Sequence, residues 1–320
     1  MSSHEGRGPD GANLLGFLSA LGAFLSLTRA LSAASVRMAW VRRTAWRPVW
    51  TLAGETTEDT LIASVEAGLR GRDAATQELT LGEDLTITSE AFRGHALNAQ
   101  KRAHEGHREY ADHLQAMGCE LPDDKGSMRP TVFETMSGAG HQHFLGFMAA
   151  LRTRVTSSHL RAALLHPWRY EDLKLSLRWD PADDRRYAHR ASDPASDAIR
   201  SVWGANLLAA EALALCPTAP QGDSVATVAT ARERSEDDRR ELFMRWPMWT
   251  RPLSLGVLRS LLTHPSVYAV SAAGDANDGH RRVLSAMGVA EVFRAKRLLV
   301  GRYKNIAPSE SCFLGGAALR

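Results

Sequence analysis

Asp180, Asp183 and Asp184 fall within five positions of one another. Three carboxylates this close could gather a divalent cation, because hard cations prefer oxygen ligands. If they converged on one open point, the metal could support cleavage of a phosphodiester. The same stretch carries Arg178, Arg185, Arg186 and Arg190, with Tyr187 and His189 between them. A guanidinium forks onto a carboxylate, so pairing within the cluster competes with metal binding and is the favoured outcome. Guanidinium groups left over from such pairing would be offered to phosphate.

A second concentration of charge closes the chain. Arg281, Arg282, Arg294, Lys296, Arg297, Arg302 and Lys304 are seven basic residues against one acidic residue, Glu291. On an alternating strand Arg294 and Lys296 share a face, as do Arg302 and Lys304, with Phe293 and Tyr303 interleaved. A basic ribbon with aromatics can grip phosphates and stack bases. A charged strand edge that resists aggregation has the same pattern.

Other motifs fall short of a known chemistry. His104-Glu105-Gly106-His107 sets its histidines three apart, where the metalloprotease helix needs four. Gly138 and Gly140, followed by His141 and His143, precede a helix whose open amides could hold an anion. Their spacing fails the dinucleotide fingerprint, and no P-loop lysine follows. There is no G-x-S-x-G elbow and no cysteine in a histidine context. No catalytic residue, metal or cofactor is therefore assigned.

The elements that must position these groups are mixed. Leu173, Leu175, Leu177 and Trp179 alternate with polar residues as in a half-buried strand, which Asp180-Pro181 should stop. Ala205–Leu215 has the pattern of a buried helix. Leu14–Leu27 is apolar for 14 residues, short of the ~20 that span a bilayer. Leu14, Phe17, Leu18, Leu21 and Leu25 recur at helical spacing, and a core helix is favoured over a signal peptide. Met1–Asp10 reads as a loose tail. Val36–Leu52 reads as two strands and Glu58–Leu69 as a helix. A long helix is expected over Glu90–Met117, with Ser89 as its cap and a short strand over Asp84–Thr88 before it. Cys119–Pro130 has loop composition, and 119–136 is where two lobes would part. Gln221–Arg240 reads as an exposed loop and Leu242–Trp249 as a strand that Pro247 confines to an edge or ends. Ser254–Leu262 reads as a helix, Val267–Ser271 as a short strand and Val289–Tyr303 as a hairpin. Most of the tryptophans are core candidates. The expected class is α+β, with helices and short, mostly antiparallel strands, in one large domain over residues 11–320.

The 320 residues include 44% hydrophobic and 23% charged residues, which argues against wholesale disorder. A net charge of +3 is too balanced to establish nucleic-acid binding by itself. Cys119, Cys216 and Cys312 are odd in number and far apart, which suits a reducing, cytoplasmic setting.

Five blocks together carry a family resemblance: Asn13–Ala20 (NLLGFLSA), Ser137–Leu145 (SGAGHQHFL), Leu175–Arg190 (LSLRWDPADDRRYAHR), Val202–Leu213 (VWGANLLAAEAL) and Val300–Asn305 (VGRYKN). In them the chain resembles a small family of type I-G (formerly I-U) CRISPR-associated proteins, described as an extension of that system's helicase-nuclease. The N-terminal theme NLLGFLSALGA is also similar to one in the effector's large subunit. His141 and His143 depart from the polar-then-lysine pattern of the family's second block. The resemblance implies an accessory, non-enzymatic role in antiviral defense. The implied partners are CRISPR effector or helicase-nuclease subunits, with crRNA or target DNA as the nucleic acid and no membrane. On the chain's own residues, contact is expected through Arg185, Arg186, Arg190, Arg294, Lys296, Arg297, Arg302 and Lys304. The alternatives are a divalent-metal nuclease built on the aspartates, or a pure protein scaffold.

Overall fold

A helix that is apolar on every side is stable only when other structure surrounds it. That condition sets the architecture of this computed structural model, which describes residues 1–72, 81–82, 84–136, 142–183, 199–234, 240–270, 278–300 and 303–314. Helix α1 (Leu14–Leu31) is buried continuously from Leu14 to Thr28. It is long and apolar enough to cross a membrane by length, yet here it forms the protein's own core. Asn13 starts it: its Oδ1 accepts from the amides of Leu15 (2.9 Å) and Gly16 (3.3 Å).

Around α1 lies first a three-stranded sheet of β1 (Ser2–Glu5), β2 (Val36–Arg42) and β3 (Trp46–Leu52), in the order β1-β3-β2. The residues expected to form a loose tail are thus a paired strand. Helix α2 (Glu58–Arg70) follows, capped by Thr57. The long helix expected to Met117 is two, α3 (Ser89–His104) and α4 (Arg108–Met117), parted at Gly106, where φ is +95°. Thr88 caps α3 in place of Ser89. The expected loop after Cys119 is a hairpin, β4 (Gly118–Pro122) and β5 (Met128–Pro130), whose turn is held by Asp123 Oδ1. No strand forms over 84–88 beyond a single bridge at Thr88.

Helices α5 (Phe144–Arg154) and α6 (Ser157–Leu165) lead to the short strand β6 (Asp172–Leu173), which pairs with β7 (Arg200–Ser201). Pro181–Asp183 forms one 3₁₀ turn between them. Helix α7 (Trp203–Ala212) is buried from Gly204 onward and runs into a 3₁₀ turn at Leu213–Leu215. It packs directly on α1: a Cβ at Gly22 would lie 1.7 Å from the Leu208 carbonyl oxygen.

The second half is a larger antiparallel assembly. The expected loop at 221–240 contains β9 (Ser224–Thr227), paired with β8 (Thr218–Gln221), and β10 (Thr230–Arg234). Strand β11 (Arg240–Trp249) lies inside its sheet, between β10 and β12 (Val289–Val300). Pro247 is tolerated there because the pairing with β10 covers only Arg240–Met244. Helix α8 (Leu255–Leu262) is capped by Ser254 as expected. The strand expected at 267–271 is instead helix α9 (Pro265–Ala269). Helix α10 (Asp278–Ala286) precedes β12, and β13 (Tyr303–Ile306) and β14 (Glu310–Leu314) both pair with β12. The class is α+β, and among the described residues every sheet is antiparallel.

Indole N–H groups tie the two sheets through the core. Trp246 donates to the Gly11 carbonyl (2.7 Å), Trp249 to that of Met38 (2.8 Å), and Trp46 to the buried Glu291 carboxylate (2.7 Å).

Candidate functional site: an aromatic cleft beside a strained segment

The alternation from Leu173 to Trp179 does place Leu175, Leu177 and Trp179 in the core. It does so without a strand. Tyr170, Lys174, Leu175 and Arg178 have φ of +52°, +61°, +47° and +59°, conformations that an L side chain disfavours. The segment is held in this form from several sides. Asn206 Oδ1 accepts from the Leu177 amide (2.9 Å), Thr135 Oγ1 donates to the Leu177 carbonyl (2.7 Å), and the Trp179 indole donates to Phe133 (3.0 Å). Left-handed residues survive only where the surroundings over-determine them.

The aspartates are part of this clamp. Asp180 Oδ1 accepts from Asn13 Nδ2 (3.0 Å) and the Ala182 amide (3.0 Å), and Oδ2 from the Tyr170 hydroxyl (2.8 Å). Asp183 accepts from Ser176. Their oxygens face different partners and do not converge on an open point. Asp184 lies outside the described residues, and among those described no three histidine, cysteine or acidic side chains stand close enough to share a metal. Burial, reinforced by the Asp180 charge, raises the Tyr170 phenol far above its ordinary value, so the hydroxyl stays a donor.

The expected basic ribbon is neutralised where it is described. Arg294 pairs with Glu233 and with Glu310 (Nε to Oε1, 2.6 Å), and stacks over Phe243. Lys296 pairs with Glu241, and Lys304 with the buried Glu134. Arg297 turns inward and donates to the Glu134 carbonyl (3.1 Å). The outward positive strand face therefore does not form among these residues. Carboxylates on neighbouring elements, distant in sequence, could not be seen to answer it. Arg185, Arg186, Arg190 and Arg302 lie outside the described residues, as do Gly138, Gly140 and His141. His143 sits at the start of α5, its Nδ1 2.9 Å from Asp84 Oδ2. His104 ends α3 and His107 precedes α4 across the Gly106 break, so the two share no helix face.

Beside the strained segment the structure opens a cleft of about 610 Å³ between α6, the segment that follows it, and the β6–β7 pair. Its lining includes His159, Trp168, Arg169, Tyr170, Glu171 and Asp172. Trp168 and Tyr170 meet edge to face, with centroids 6.3 Å apart at 84°. Both rings are pinned by their polar ends: Trp168 Nε1 donates to the Ala163 carbonyl (2.8 Å), and the Tyr170 hydroxyl to Asp180. Asp172 Oδ2 accepts from the Trp203 amide (2.7 Å), which fixes the start of α7 to β6.

α7 crosses α6 at Gly204, where a Cβ would lie 2.4 Å from the His159 carbonyl oxygen. That close approach stacks Trp203 on the His159 ring (5.4 Å, 30°), and Arg154 covers the indole (5.9 Å). His159 Nδ1 accepts from the Thr156 amide (3.1 Å), a group that can only donate. The proton therefore sits on Nε2, 3.7 Å from Asp172 Oδ1. The histidine offers the cleft a donor, not a base.

Arg154, Arg169, Lys174 and Arg200 are exposed around this region, and none has a carboxylate partner among the described residues. Leu173 and Arg200 pair one register step from the lining residues Asp172 and Ser201. Only Pro167-Trp168-Arg169-Tyr170, two aromatics interleaved with a cation, could have marked this cleft in the sequence.

No family model, no curated protein and no solved structure matches the chain.

Proposed function

We propose that the protein is a non-enzymatic nucleic-acid-binding protein whose cleft receives a nucleotide of a single strand. One observation carries this reading: a pinned aromatic pair, Trp168 and Tyr170, lines a nucleotide-sized cleft in a neighbourhood bearing Arg154, Arg169, Lys174 and Arg200, cations with no carboxylate partner among the described residues. Aromatic faces accept any base, and cations track the backbone. The histidine in the lining is a donor, which suits binding and positioning without bond chemistry. Within this reading the chain is an accessory protein of a CRISPR interference system, acting beside effector or helicase-nuclease subunits, as its motif blocks imply. A cytoplasmic location goes with it, and the three cysteines, all free and buried, suit that compartment.

Fluorescence anisotropy with labelled single-stranded DNA and RNA across a salt series tests the reading. Affinity is expected to fall with salt by a log–log slope of about 0.7 per phosphate contact. Arg169→Glu is expected to weaken binding and flatten that slope. Trp168→Leu is expected to cost about tenfold, from lost stacking of about 1–3 kcal/mol per base. Arg294→Ala, which breaks internal pairs only, should leave affinity within about twofold of wild type. Absence of binding at low salt refutes the proposal. Indifference to both cleft variants refutes the site.

A further inference from the structure

We infer that the cleft prefers guanine over the other bases and that Glu171 is the residue that reads it; this rests on the nucleic-acid reading above. The cleft contains more than stacking surfaces and cations. Glu171 lines it, is exposed, and makes no hydrogen bond or ion pair among the described residues. Among the described residues its neighbour Asp172 has committed only Oδ2, to the Trp203 amide, and Oδ1 stands 3.7 Å from His159 Nε2, beyond hydrogen-bond reach. Two carboxylates with open acceptor capacity thus flank the pinned rings of Trp168 and Tyr170.

A polyanion alone gives no reason for acceptors here, since they repel phosphate. A base edge rich in donors does. On its Watson–Crick edge guanine presents N1–H and the N2 amine side by side, and one carboxylate accepts both. Adenine and cytosine each present one exocyclic amine beside a ring acceptor. Uracil and thymine present a single N3–H between two carbonyls, which a carboxylate repels. Arg169, in the same lining as Glu171 and without a carboxylate partner among the described residues, is available to the phosphate of the same nucleotide. Stacking, the base edge and the backbone are then each answered by a different side chain. A cationic side chain of a protein would also suit an aromatic–carboxylate pair. It leaves Arg169 and the other three cations opposed, and fills little of about 610 Å³.

The test is a binding comparison on three oligothymidine strands of about 12 nucleotides, a length within one binding-site size for such platforms. One strand is unmodified, one carries a central guanine, and one carries hypoxanthine, which keeps N1–H but lacks the N2 amine. The guanine strand is expected to bind about tenfold tighter than the unmodified strand, the range of one bidentate pair, with hypoxanthine between. Glu171→Gln is expected to bring the guanine and unmodified strands within about twofold of each other. Glu55→Gln, at an exposed site away from the cleft, should preserve the ratio.

Equal binding of all three strands, or a guanine preference that survives Glu171→Gln, overturns the inference and leaves the nucleic-acid reading standing. Failure to bind any strand at low salt overturns both. Glu171-dependent binding of an arginine-rich peptide in place of the strands overturns both and assigns the cleft to a cationic protein segment.

Discussion

Glu211 is fully buried in α7, and the most informative perturbation of the fold is to remove its charge. Arg72 meets Oε1 at 3.1 Å and Arg152 at 2.8 Å, while Arg29 and His113 approach Oε2 at 3.6 and 3.7 Å. Arg29 also pairs with Glu109 (2.7 Å). Burial works to raise the Glu211 carboxyl, but the guanidinium groups of Arg72 and Arg152 outweigh it and hold the group well below the usual carboxylate range. Glu211→Gln keeps the shape and strands the charges of Arg72 and Arg152, of which Arg72 is almost entirely buried. Breaking a buried pair from one side costs about 3–5 kcal/mol. With m near 3 kcal/mol/M, the urea midpoint should fall by about 1 M or more. Arg70→Ala breaks an exposed pair with Glu66 and should cost under about 0.5 kcal/mol. The same cluster sets an acid limit. Burial, then Arg72, lowers the His113 pKa, so the native ring is neutral where the unfolded ring takes a proton. Stability should therefore be full above about pH 6.5, the unfolded value, and decline below it. The contribution of Glu211 has the same sign but is lost only as pH falls below about 4.3 and through its depressed native value. His113→Gln should remove the first decline. A loss below about 1 kcal/mol in Glu211→Gln, or an unchanged pH profile in His113→Gln, would refute the assignment of this cluster as the lock joining α1, α4, α5 and α7.

Two further perturbations probe the frame that holds the cleft. Gly22→Ala forces a Cβ against the Leu208 carbonyl and should cost at least about 1–3 kcal/mol by thermal unfolding, since neither backbone can yield. Asn13→Ala removes the cap of α1, worth about 1 kcal/mol, and a donor to buried Asp180, worth about 1–3 kcal/mol. Circular dichroism during urea unfolding should show the combined loss, and Asn13→Asp should not restore it, because it keeps the cap but opposes Asp180.

Local signals made much of the fold readable. The helical spacing of Leu14, Phe17, Leu18, Leu21 and Leu25 marked α1, Ser254 marked α8, and the alternation between Val36 and Leu52 marked two strands. The errors came where tertiary partners decide. Leu173–Trp179 has the period of a strand, yet among the described residues no neighbouring strand runs beyond Leu173, and the Leu177 amide and carbonyl bond to Asn206 and Thr135 instead. The short segment at Val267 is β-branched and aromatic in flavour, but His264 and Pro265 form a helix start that outweighs propensity. The ribbon at Arg294–Lys304 was visible as charge. Its neutralisation depends on Glu233, Glu241, Glu310 and Glu134, three of which belong to other stretches of chain. The cleft was the least legible feature, because Trp203 and His159 are brought together only by the crossing at Gly204.

The strain beside that cleft has a cost that can be separated from its use. A non-glycine residue in the left-handed region gives up about 1–2 kcal/mol, and four lie between Tyr170 and Arg178. Lys174 is exposed and its side chain makes no hydrogen bond or ion pair among the described residues, while its backbone carbonyl accepts from Ser201 and its amide donates to Ile199. Lys174→Gly relieves the steric penalty and incurs about 0.5–1 kcal/mol of added chain entropy, so a net gain of about 0.5 kcal/mol is expected. The same change removes one cation from the neighbourhood of the cleft and should weaken strand binding about two- to threefold at low salt, reducing the salt slope by about 0.7. A variant that is more stable and binds less tightly is what a segment strained for function requires. A variant that loses stability would mean that the left-handed turn is supported by its lysine, and the strain would then carry no functional meaning.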